Sequence, residues 1–320
     1  MTASQIGDVR PLTSCCFSKD EKSQYLATSS WSGVAKLWDR SMLDSNEDTK
    51  TSREMCKLTY RGHKGRVQFV DFHPDSCTSN KSAPSSKNAN LATASVDSTA
   101  KLWSLESSDS LVTLEGHKAR LARVKWHPMG RHVGTTSFDK TWRLWDAEKG
   151  SELLLQEGHT SETYAIAFHP DGSLVATGDL GGVGRVWDLR SGRSIFTMRK
   201  HSKGIMSADW SPDGHTLATA SDDHTVRIWD LRKRECEYTL AAHSAMITCV
   251  KFAPRTGEFI LTASHDKTCK VWNTRDWKLL GEMAGHDGHV MGADISSDEK
   301  HFATASYDRS WKYWAHESEF

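Results

Sequence analysis

Histidine is the residue type that most invites a chemical interpretation here, because imidazole both binds metals and transfers protons. The chain has 16 histidines, and His286 and His289 stand in an HxxH spacing. A zinc site needs three or four ligands, and no cluster of thiolates or carboxylates completes one around this pair. The sequence also lacks the GxSxG and GxxxxGK[ST] signatures of hydrolases and phosphate-binding loops. We therefore expect no catalytic residues, no metal, no cofactor and no small-molecule substrate.

The positions of the histidines have a structural explanation instead. Tryptophan recurs with a period of 42 or 43 residues from Trp103 to Trp314, and a His precedes five of these tryptophans by 28 or 29 residues. A period in the low forties is typical of β-propeller blades. The periodic tryptophans are Trp103, Trp145, Trp187, Trp229, Trp272 and Trp314, and Trp38 stands one period plus 23 residues before the first of them.

The 23 additional residues are explained by two insertions. They fall at about residues 42–54 and 76–88, which are rich in Ser, Asn, Asp and Lys. This composition predicts solvated loops that leave the repeats intact. Because the repeat otherwise covers the chain, we interpret residues 1–320 as a single propeller domain with seven blades.

Each repeat is predicted to contain four strands, because alternating apolar runs are separated by Pro, Asp and Gly turns. Too few residues follow Trp314 to supply another strand. The segment from about Thr2 to Ile6 is therefore expected to complete the last blade and to remove its exposed edge. The predicted fold is an all-β, seven-bladed propeller closed by its N-terminal strand.

The repeated residues resemble those of WD-repeat proteins, in which a His, a strand hydroxyl, a turn Asp and the Trp form a buried hydrogen-bonded chain. We expect strand serines such as Ser95 to supply the hydroxyl, with Thr93 and its equivalents as the alternative. Asp8 replaces the His of the first repeat, and Ser32 and Gly181 replace the Asp of the first and fourth, so these two blades are expected to depend more on packing. The structural network is assigned to His117, Asp139, Trp145, Asp223, Trp229, Asp266, Trp272, Asp308 and Trp314.

The residue before each turn Asp should lie around one mouth of the central channel. At four of the seven positions it is aromatic or His, although exposed turns usually carry small polar residues. Exposed aromatic residues beside Arg are typical of protein-binding surfaces. Alternatively, Trp31 and Phe138 fold down against neighbouring blades. The predicted partner-binding rim contains Trp31, Arg66, Gln68, Arg120, Phe138, Tyr164, Met206, His265, His289 and Tyr307.

Charge and composition limit the other functions. Lys plus Arg and Asp plus Glu both total 41, so general neutralisation of nucleic-acid phosphates is not expected. Local basic patches remain candidates for RNA or protein contacts, with solvated faces as the alternative. Seven cysteines without a CxxC pair favour a reducing compartment, and no apolar run is long enough to span a membrane. The basic patches contain Arg190, Arg193, Arg199, Lys200, Arg232, Lys233 and Arg234, and a further group contains Lys118, Arg120 and Arg123.

Several irregular segments resemble one narrower family. The similarity is to pre-mRNA processing factor four, the WD-repeat subunit of the U4/U6 small nuclear ribonucleoprotein (snRNP), and it includes Asp8 for His and Gly181 for Asp. It is carried by residues 6–12, 30–33, 36–38, 123–128, 134–136, 178–193, 285–298 and 303–309. The resemblance implies a nuclear, non-catalytic scaffold of the U4/U6.U5 tri-snRNP in pre-mRNA splicing. Its partners would be splicing-factor proteins and, directly or indirectly, the U4/U6 snRNA. Family members carry a further N-terminal region that recruits a cyclophilin, and those contacts are not expected of a sequence that begins at the first blade.

A second hypothesis comes from a tandem WDxR motif. Residues 187–190 and 229–232 both read Trp-Asp-Leu-Arg. They resemble the motifs with which substrate receptors of cullin-RING ubiquitin ligases present an Arg to the adaptor of the ligase. Co-purification of that adaptor would distinguish a ligase receptor from a splicing scaffold.

Overall fold

Each repeat forms one four-stranded antiparallel sheet, and seven such sheets surround a central channel in the computed structural model. The structure describes residues 3–42, 55–75 and 89–315. The predicted all-β, seven-bladed propeller is therefore confirmed. Apart from residue 42, both predicted loop insertions lie outside the described residues.

A 3-10 helix, Arg40–Met42, follows the fourth strand. In chain order the strands are β1 (Ala3–Ile6), β2 (Leu12–Phe17), β3 (Tyr25–Ser30), β4 (Val34–Asp39), β5 (Cys56–Arg61), β6 (Val67–Phe72), β7 (Leu91–Ser95), β8 (Ala100–Trp103), β9 (Ser110–Leu114), β10 (Leu121–Trp126), β11 (His132–Ser137), β12 (Trp142–Asp146), β13 (Glu152–Gln156), β14 (Thr163–Phe168), β15 (Leu174–Asp179), β16 (Gly184–Asp188), β17 (Arg193–Met198), β18 (Ile205–Trp210), β19 (Thr216–Ser221), β20 (Thr225–Asp230), β21 (Glu235–Ala241), β22 (Ile247–Phe252), β23 (Phe259–Ser264), β24 (Thr268–Asn273), β25 (Leu279–Ala284), β26 (Val290–Ile295), β27 (His301–Ser306) and β28 (Ser310–Ala315).

The first six blades contain consecutive strands, from β2–β5 to β22–β25, and the seventh contains β26–β28 together with β1. β1 pairs with β28 in antiparallel register, from Ala3 opposite Tyr313 to Ile6 opposite Ser310. The innermost strand β2 contacts both β6 and β26, which closes the ring. The prediction that residues up to Ile6 complete the last blade is confirmed, although Thr2 lies outside the described residues.

The apolar core lies between adjacent blades. All five residues of β7 are buried, because neighbouring blades cover both faces of its sheet. Trp103 of the second blade packs with Ala27 and Leu37 of the first. This arrangement explains why the inner strands are continuous runs of small and branched residues, since a strand covered on both faces has no solvent side to carry polar groups. Within the described residues, no helix has the length and apolar character needed to cross a membrane.

Candidate functional site

In six of the seven blades, a chain of hydrogen bonds links the loop that enters the blade to the Trp of its third strand. In the third blade, His117 Nδ1 lies 2.8 Å from Asp139 Oδ2, and His117 Nε2 lies 2.8 Å from Thr135 Oγ1. The indole N–H of Trp145 donates to the same hydroxyl at 2.8 Å. Because an ionised Asp only accepts hydrogen bonds, the His carries its proton on Nδ1 and accepts from Thr through Nε2. The same arrangement joins His63, His159, His201, His243 and His286 to their Thr and Asp partners.

The hydroxyl of this chain belongs to Thr, so the expectation of Ser was wrong and the alternative was right. Trp145 pairs with Val133 across the sheet, and its indole reaches two residues along β11 to Thr135. Ser137 lies two residues farther, at the end of the strand. Its hydroxyl accepts the backbone N–H of Asp139 at 3.1 Å and so fixes the turn.

The fourth blade keeps the chain, contrary to the expectation that it depends on packing. Asp179, at the end of β15, lies 2.9 Å from His159 Nδ1 and accepts the backbone N–H of Val183 at 2.9 Å. Asp179 occupies the place held by Ser137 in the third blade, and its carboxylate reaches the His from there. A Cβ on Gly181 would lie 2.7 Å from Ser161 Oγ, so the turn position itself does not accommodate a side chain without movement.

In the first blade, a carboxylate and a lysine stand where the His would be. Asp8 lies 3.6 Å from Lys36 Nζ and is hydrogen-bonded to the Ser32 hydroxyl. Trp38 still donates to Thr28 at 2.8 Å. This blade therefore retains the Trp–Thr half of the chain and replaces the other half with an ion pair.

The network carboxylates are held in the ionised form. Burial by itself raises the pKa of Asp97, Asp139, Asp223 and Asp308, but hydrogen bonds from the His and from the turn hydroxyl outweigh it and hold each pKa well below its ordinary value. A carboxylate that stays ionised in this way is poorly suited to proton transfer near neutral pH. These histidines and aspartates therefore act as structural residues. No group of three or more His, Cys, Asp or Glu placed to hold a metal occurs within the described ranges.

Five predicted rim residues form one continuous series, which we call the first arc (His265, His289, Tyr307, Trp31 and Arg66). His265 and His289 stack with ring centroids 4.4 Å apart, and His289 Nδ1 donates to the carbonyl oxygen of His265 at 2.7 Å. Tyr307 meets His289 at 6.2 Å and Trp31 at 5.3 Å, both edge to face. The guanidinium of Arg66 lies 4.2 Å from the Trp31 ring centroid. The first arc thus crosses blades six, seven, one and two.

Three further rim residues form a second arc (Arg120, Phe138 and Tyr164). The Arg120 guanidinium lies 3.8 Å from the Phe138 ring centroid, and Phe138 meets Tyr164 at 6.2 Å. Trp31 and Phe138 are each half-buried against these neighbours, whereas Tyr307 is 43% exposed. The rings of Trp31 and Phe138 therefore pack against neighbouring side chains and also remain partly exposed to solvent.

The remaining predicted rim residues, Gln68 and Met206, lie outside both arcs. Each is the second residue of its innermost strand, where the pairing register shifts by one residue. Tyr164 occupies the same bulged position in β14. A β-bulge changes the direction in which a side chain points. The residue type at the bulged position therefore decides whether an aromatic ring is part of the rim.

The residues of the first predicted basic patch lie at opposite ends of one strand. Arg190 lies in the turn before β17 and Arg193 is its first residue, whereas Arg199 and Lys200 follow its end, next to the rim. Arg232 forms an ion pair with Asp230 at 3.2 Å. The other predicted basic residues of that turn, Lys233 and Arg234, are exposed, and Lys233 pairs with Glu237.

Arg123 does not belong to a surface patch, because it points into the channel and is buried. Its Nη2 donates to the carbonyl oxygen of Thr248 on the sixth blade. Two residues farther along the same strand, Lys125 pairs with Asp71 of the second blade. Lys125 and Asp71 were not predicted from the sequence, although a charged residue recurs as the fifth residue of several innermost strands.

Comparison with known proteins decides the family. Seven segments match the WD40 family (WD domain, G-beta repeat), at residues 5–39, 54–104, 108–146, 150–188, 192–230, 234–273 and 277–315. The chain belongs to the WD-repeat family. As a WD-repeat protein it is similar to an uncharacterized WD repeat-containing protein of Schizosaccharomyces pombe, with 40% identity over 133 residues, which are 42% of this chain and 25% of the relative.

Two other relatives carry the name of the U4/U6 small nuclear ribonucleoprotein. The U4/U6 small nuclear ribonucleoprotein PRP4-like protein of Arabidopsis thaliana is 45% identical over 117 residues, which are 36% of this WD-repeat chain and 16% of the relative. The U4/U6 small nuclear ribonucleoprotein Prp4 of Homo sapiens is 48% identical over 78 residues, 24% of this chain and 12% of the relative. The matches thus span a quarter or less of the length of these relatives.

Proposed function

We propose that this WD-repeat chain is a non-catalytic scaffold of the U4/U6 snRNP in the nucleus and that its rim docks a splicing-factor protein. The observation that carries the docking role is the first arc, in which rings and a guanidinium of four blades form one half-exposed surface. The similarity to proteins named PRP4-like and Prp4 supports the assignment to U4/U6.

The chemistry of the rim favours protein as the direct partner. The guanidinium groups of Arg66 and Arg120 lie over aromatic rings, and neither forms an ion pair in the part of the chain that the structure describes. Their N–H groups can donate to a carboxylate or a backbone carbonyl of a partner, and Arg and aromatic residues are enriched at the energetic centres of protein interfaces. The zero formal charge of the chain gives little general attraction for RNA phosphates, so any RNA contact would be local or through the protein partner.

Part of the first arc is uncharged near neutral pH. Burial lowers the pKa of His265, and the neighbouring His289 lowers it further. The His265 ring at this end of the arc is therefore neutral, and Arg66 supplies the cation at the other end. A partner segment with an apolar side and an acidic end would complement an arc that is neutral at His265 and positively charged at Arg66.

Affinity purification from nuclear extract tests both parts of the proposal. The tagged wild-type chain should recover U4 and U6 RNA together with a splicing-factor protein. The double variant Trp31→Ala with Arg66→Ala should lose the protein and still unfold cooperatively with at most a small decrease in melting temperature, because Arg66 is exposed and Trp31 is only half-buried. Arg131→Ala is the matched control, since Arg131 is exposed in a turn at the opposite mouth of the channel.

Each failure has a separate meaning. Absence of U4 and U6 RNA from the wild-type eluate would contradict the U4/U6 assignment. Undiminished capture by the rim variant would contradict docking at the first arc. Recovery of a cullin-RING adaptor, lost on Arg190→Ala with Arg232→Ala, would favour the ubiquitin-ligase hypothesis instead.

A further inference from the structure

A groove of about 850 Å³ lies on the outer half of the first blade. It is lined by residues of β4 and β5, by the end of β1 and by the segment that follows β1, and along β5 the lining extends from Cys56 to Arg61. The five residues of the first arc lie outside it. We call it the side groove, and its lining includes Ile6, Val9, Lys36, Trp38, Thr59 and Arg61.

The basic residue of the first blade leaves the outermost strand of that blade uncovered. In three other blades the corresponding residue reaches the outermost strand, in the pairs Lys101 with Thr113, Arg143 with Glu152 and Arg227 with Thr239. Lys36 lies opposite Thr59 in the pairing register, but its ammonium donates to the carbonyl oxygen of Gly7 at 2.7 Å. It also lies 3.6 Å from Asp8, the carboxylate that stands in place of the motif His. The first blade therefore has an open surface along β5 where those three blades have a basic side chain.

Two apolar side chains are exposed at the side groove. Ile6 is 68% exposed and Val9 is 76% exposed. Val9 occupies the position directly after the motif His, where each of the other six blades has a polar residue. These polar residues are Lys64, Lys118, Thr160, Ser202, Ser244 and Asp287. Neighbouring exposed apolar side chains at a groove are typical of a binding surface rather than of a solvated turn.

The carboxylate of the side groove is already neutralised within the protein. Asp8 is buried, and it accepts the backbone N–H of Val9 at 2.8 Å and the hydroxyl of Ser32. The ammonium of Lys36 lies 3.6 Å from it. A ligand in the side groove therefore does not meet an unpaired negative charge there.

Arg61 is the charged residue of the side groove that has no partner. Its guanidinium is exposed and forms no ion pair with the residues that the structure describes. Two more exposed arginines adjoin the segment after β1: Arg10 follows Val9, and the carbonyl oxygen of Arg309 accepts the Gly7 N–H at 2.9 Å. Because a guanidinium can bind a carboxylate through two N–H groups, this surface favours an acidic ligand.

We propose that the side groove binds an extended segment of a partner protein in which a branched apolar side chain stands next to acidic ones. The apolar side chain packs against Ile6 and Val9, and a carboxylate pairs with Arg61. The exposed apolar surface favours a polypeptide over RNA, because an aliphatic side chain removes Ile6 and Val9 from water more completely than phosphate and ribose groups do. The site shares no residue with the first arc, so the proposal depends neither on the U4/U6 assignment nor on docking at the rim.

Ligand-observed NMR on the full chain tests the proposal with four probes. The acidic probe is acetyl-Gly-Glu-Leu-Asp-Gly-amide, which should bind with a dissociation constant of about 1 mM or less. A neutral probe has Gln and Asn in place of Glu and Asp, and it should bind about two- to fivefold more weakly, because it cannot form the exposed ion pair. A third probe has Ala in place of Leu and should bind at least about threefold more weakly, because it buries less apolar surface. Hexauridylate represents single-stranded RNA and should bind more weakly than the acidic probe.

Two variants and a matched control locate the binding. Ile6→Ser with Val9→Ser should fold, because both side chains are exposed, and it should weaken the acidic probe at least about threefold. Arg61→Gln should reduce the affinity of the acidic probe to that of the neutral probe and leave the neutral probe unchanged. Arg199→Gln is the control, since Arg199 is exposed at the same repeat position in the fourth blade, and it should leave all affinities unchanged.

The rim variant Trp31→Ala with Arg66→Ala separates this site from the first arc and should also leave the affinities unchanged. Loss of the acidic probe in that variant would place the binding at the rim and overturn the proposal. No binding of the acidic probe, equal affinity for the acidic and neutral probes, tighter binding of hexauridylate, or unchanged binding in the folded Ile6→Ser with Val9→Ser variant would overturn it as well. If that double variant does not fold, the comparison of Arg61→Gln with Arg199→Gln decides.

Discussion

Arg123 on the third blade donates from Nη2 to the backbone carbonyl oxygen of Thr248 on the sixth blade at 2.8 Å. The same guanidinium lies 4.6 Å from the ring centroid of Phe69 on the second blade and 5.6 Å from that of Tyr164 on the fourth. Blades of a propeller otherwise contact their neighbours, so this side chain joins parts of the ring that the sheets do not connect.

Replacing Arg123 with Met should therefore destabilise the whole ring. Met keeps much of the aliphatic stem but loses the charged hydrogen bond, which contributes about 1.5–3 kcal/mol. The free energy of unfolding, measured by urea titration, should fall by that amount. Arg120→Met removes an exposed guanidinium on the same strand edge and is the control. Equal stability of the two variants would show that the contact across the channel is unimportant.

The Thr–His–Trp chain can be dissected by comparing two blades. Thr135→Val removes the hydroxyl that serves both His117 and Trp145, whereas Thr28→Val deprives only Trp38 of a partner. Each buried group left without a partner costs about 1–3 kcal/mol. We expect Thr135→Val to lower the free energy of unfolding by at least about 1 kcal/mol more than Thr28→Val in guanidinium titrations. Equal decreases in the free energy of unfolding for the two variants would mean that the hydrogen bond between His117 and the Thr135 hydroxyl does not contribute to stability.

Asp179 should contribute as much to the free energy of unfolding as the turn Asp contributes in other blades. Asp179→Ala leaves His159 Nδ1 and the Val183 N–H without their acceptor, so a loss of about 2–4 kcal/mol is expected by thermal or chemical unfolding. Asp139→Ala should cost a similar amount. Adding Gly181→Asp to Asp179→Ala should not restore stability, because a side chain there meets Ser161. Full rescue would contradict the structural explanation of this blade.

The lowered carboxylate pKa values predict the response to acid. The pKa of Asp294 is about 2 in the folded chain, below its ordinary value of 3.8, and those of Asp97 and Asp139 are also lowered. On acidification the unfolded chain takes up these protons first, so the stabilisation is fully present above about pH 5 and decreases as the pH falls through 4 towards 2. For Asp294 alone the loss is about 2 kcal/mol.

Urea titrations between pH 7 and pH 2 measure this response. The free energy of unfolding should decrease slightly as the pH falls below about 6.5, because burial lowers the pKa of His73, His243 and His265 in the folded chain, and should decrease more steeply below about pH 4 as the carboxylates are protonated. Asp294→Asn should be less stable than the wild type at pH 7 and should show a shallower decrease in acid. A wild-type stability that does not change between pH 5 and pH 2.5 would contradict the carboxylate assignments.

Local patterns were sufficient to predict much of this protein, because each blade repeats the same short-range rules. The Trp period, the Asp turns and the four-strand repeats predict seven antiparallel sheets, and the structure confirms them together with the closure by β1. The hydroxyl of the network was harder to predict. Thr135 and Ser137 lie on the same face of one strand, and only the reach of the Trp145 indole across the sheet distinguishes them.

The sequence by itself determined the number of blades, the order of their strands and the family, since these follow from spacing along the chain. Only the tertiary structure decided which rim rings touch, that Asp179 serves His159, and that Arg123 reaches Thr248. Most of these pairs join different blades, and Arg123 and Thr248 are 125 residues apart. Such pairs meet because the ring brings corresponding strands of different blades to one level of the channel, and spacing within a repeat carries no information about how the blades close around the axis.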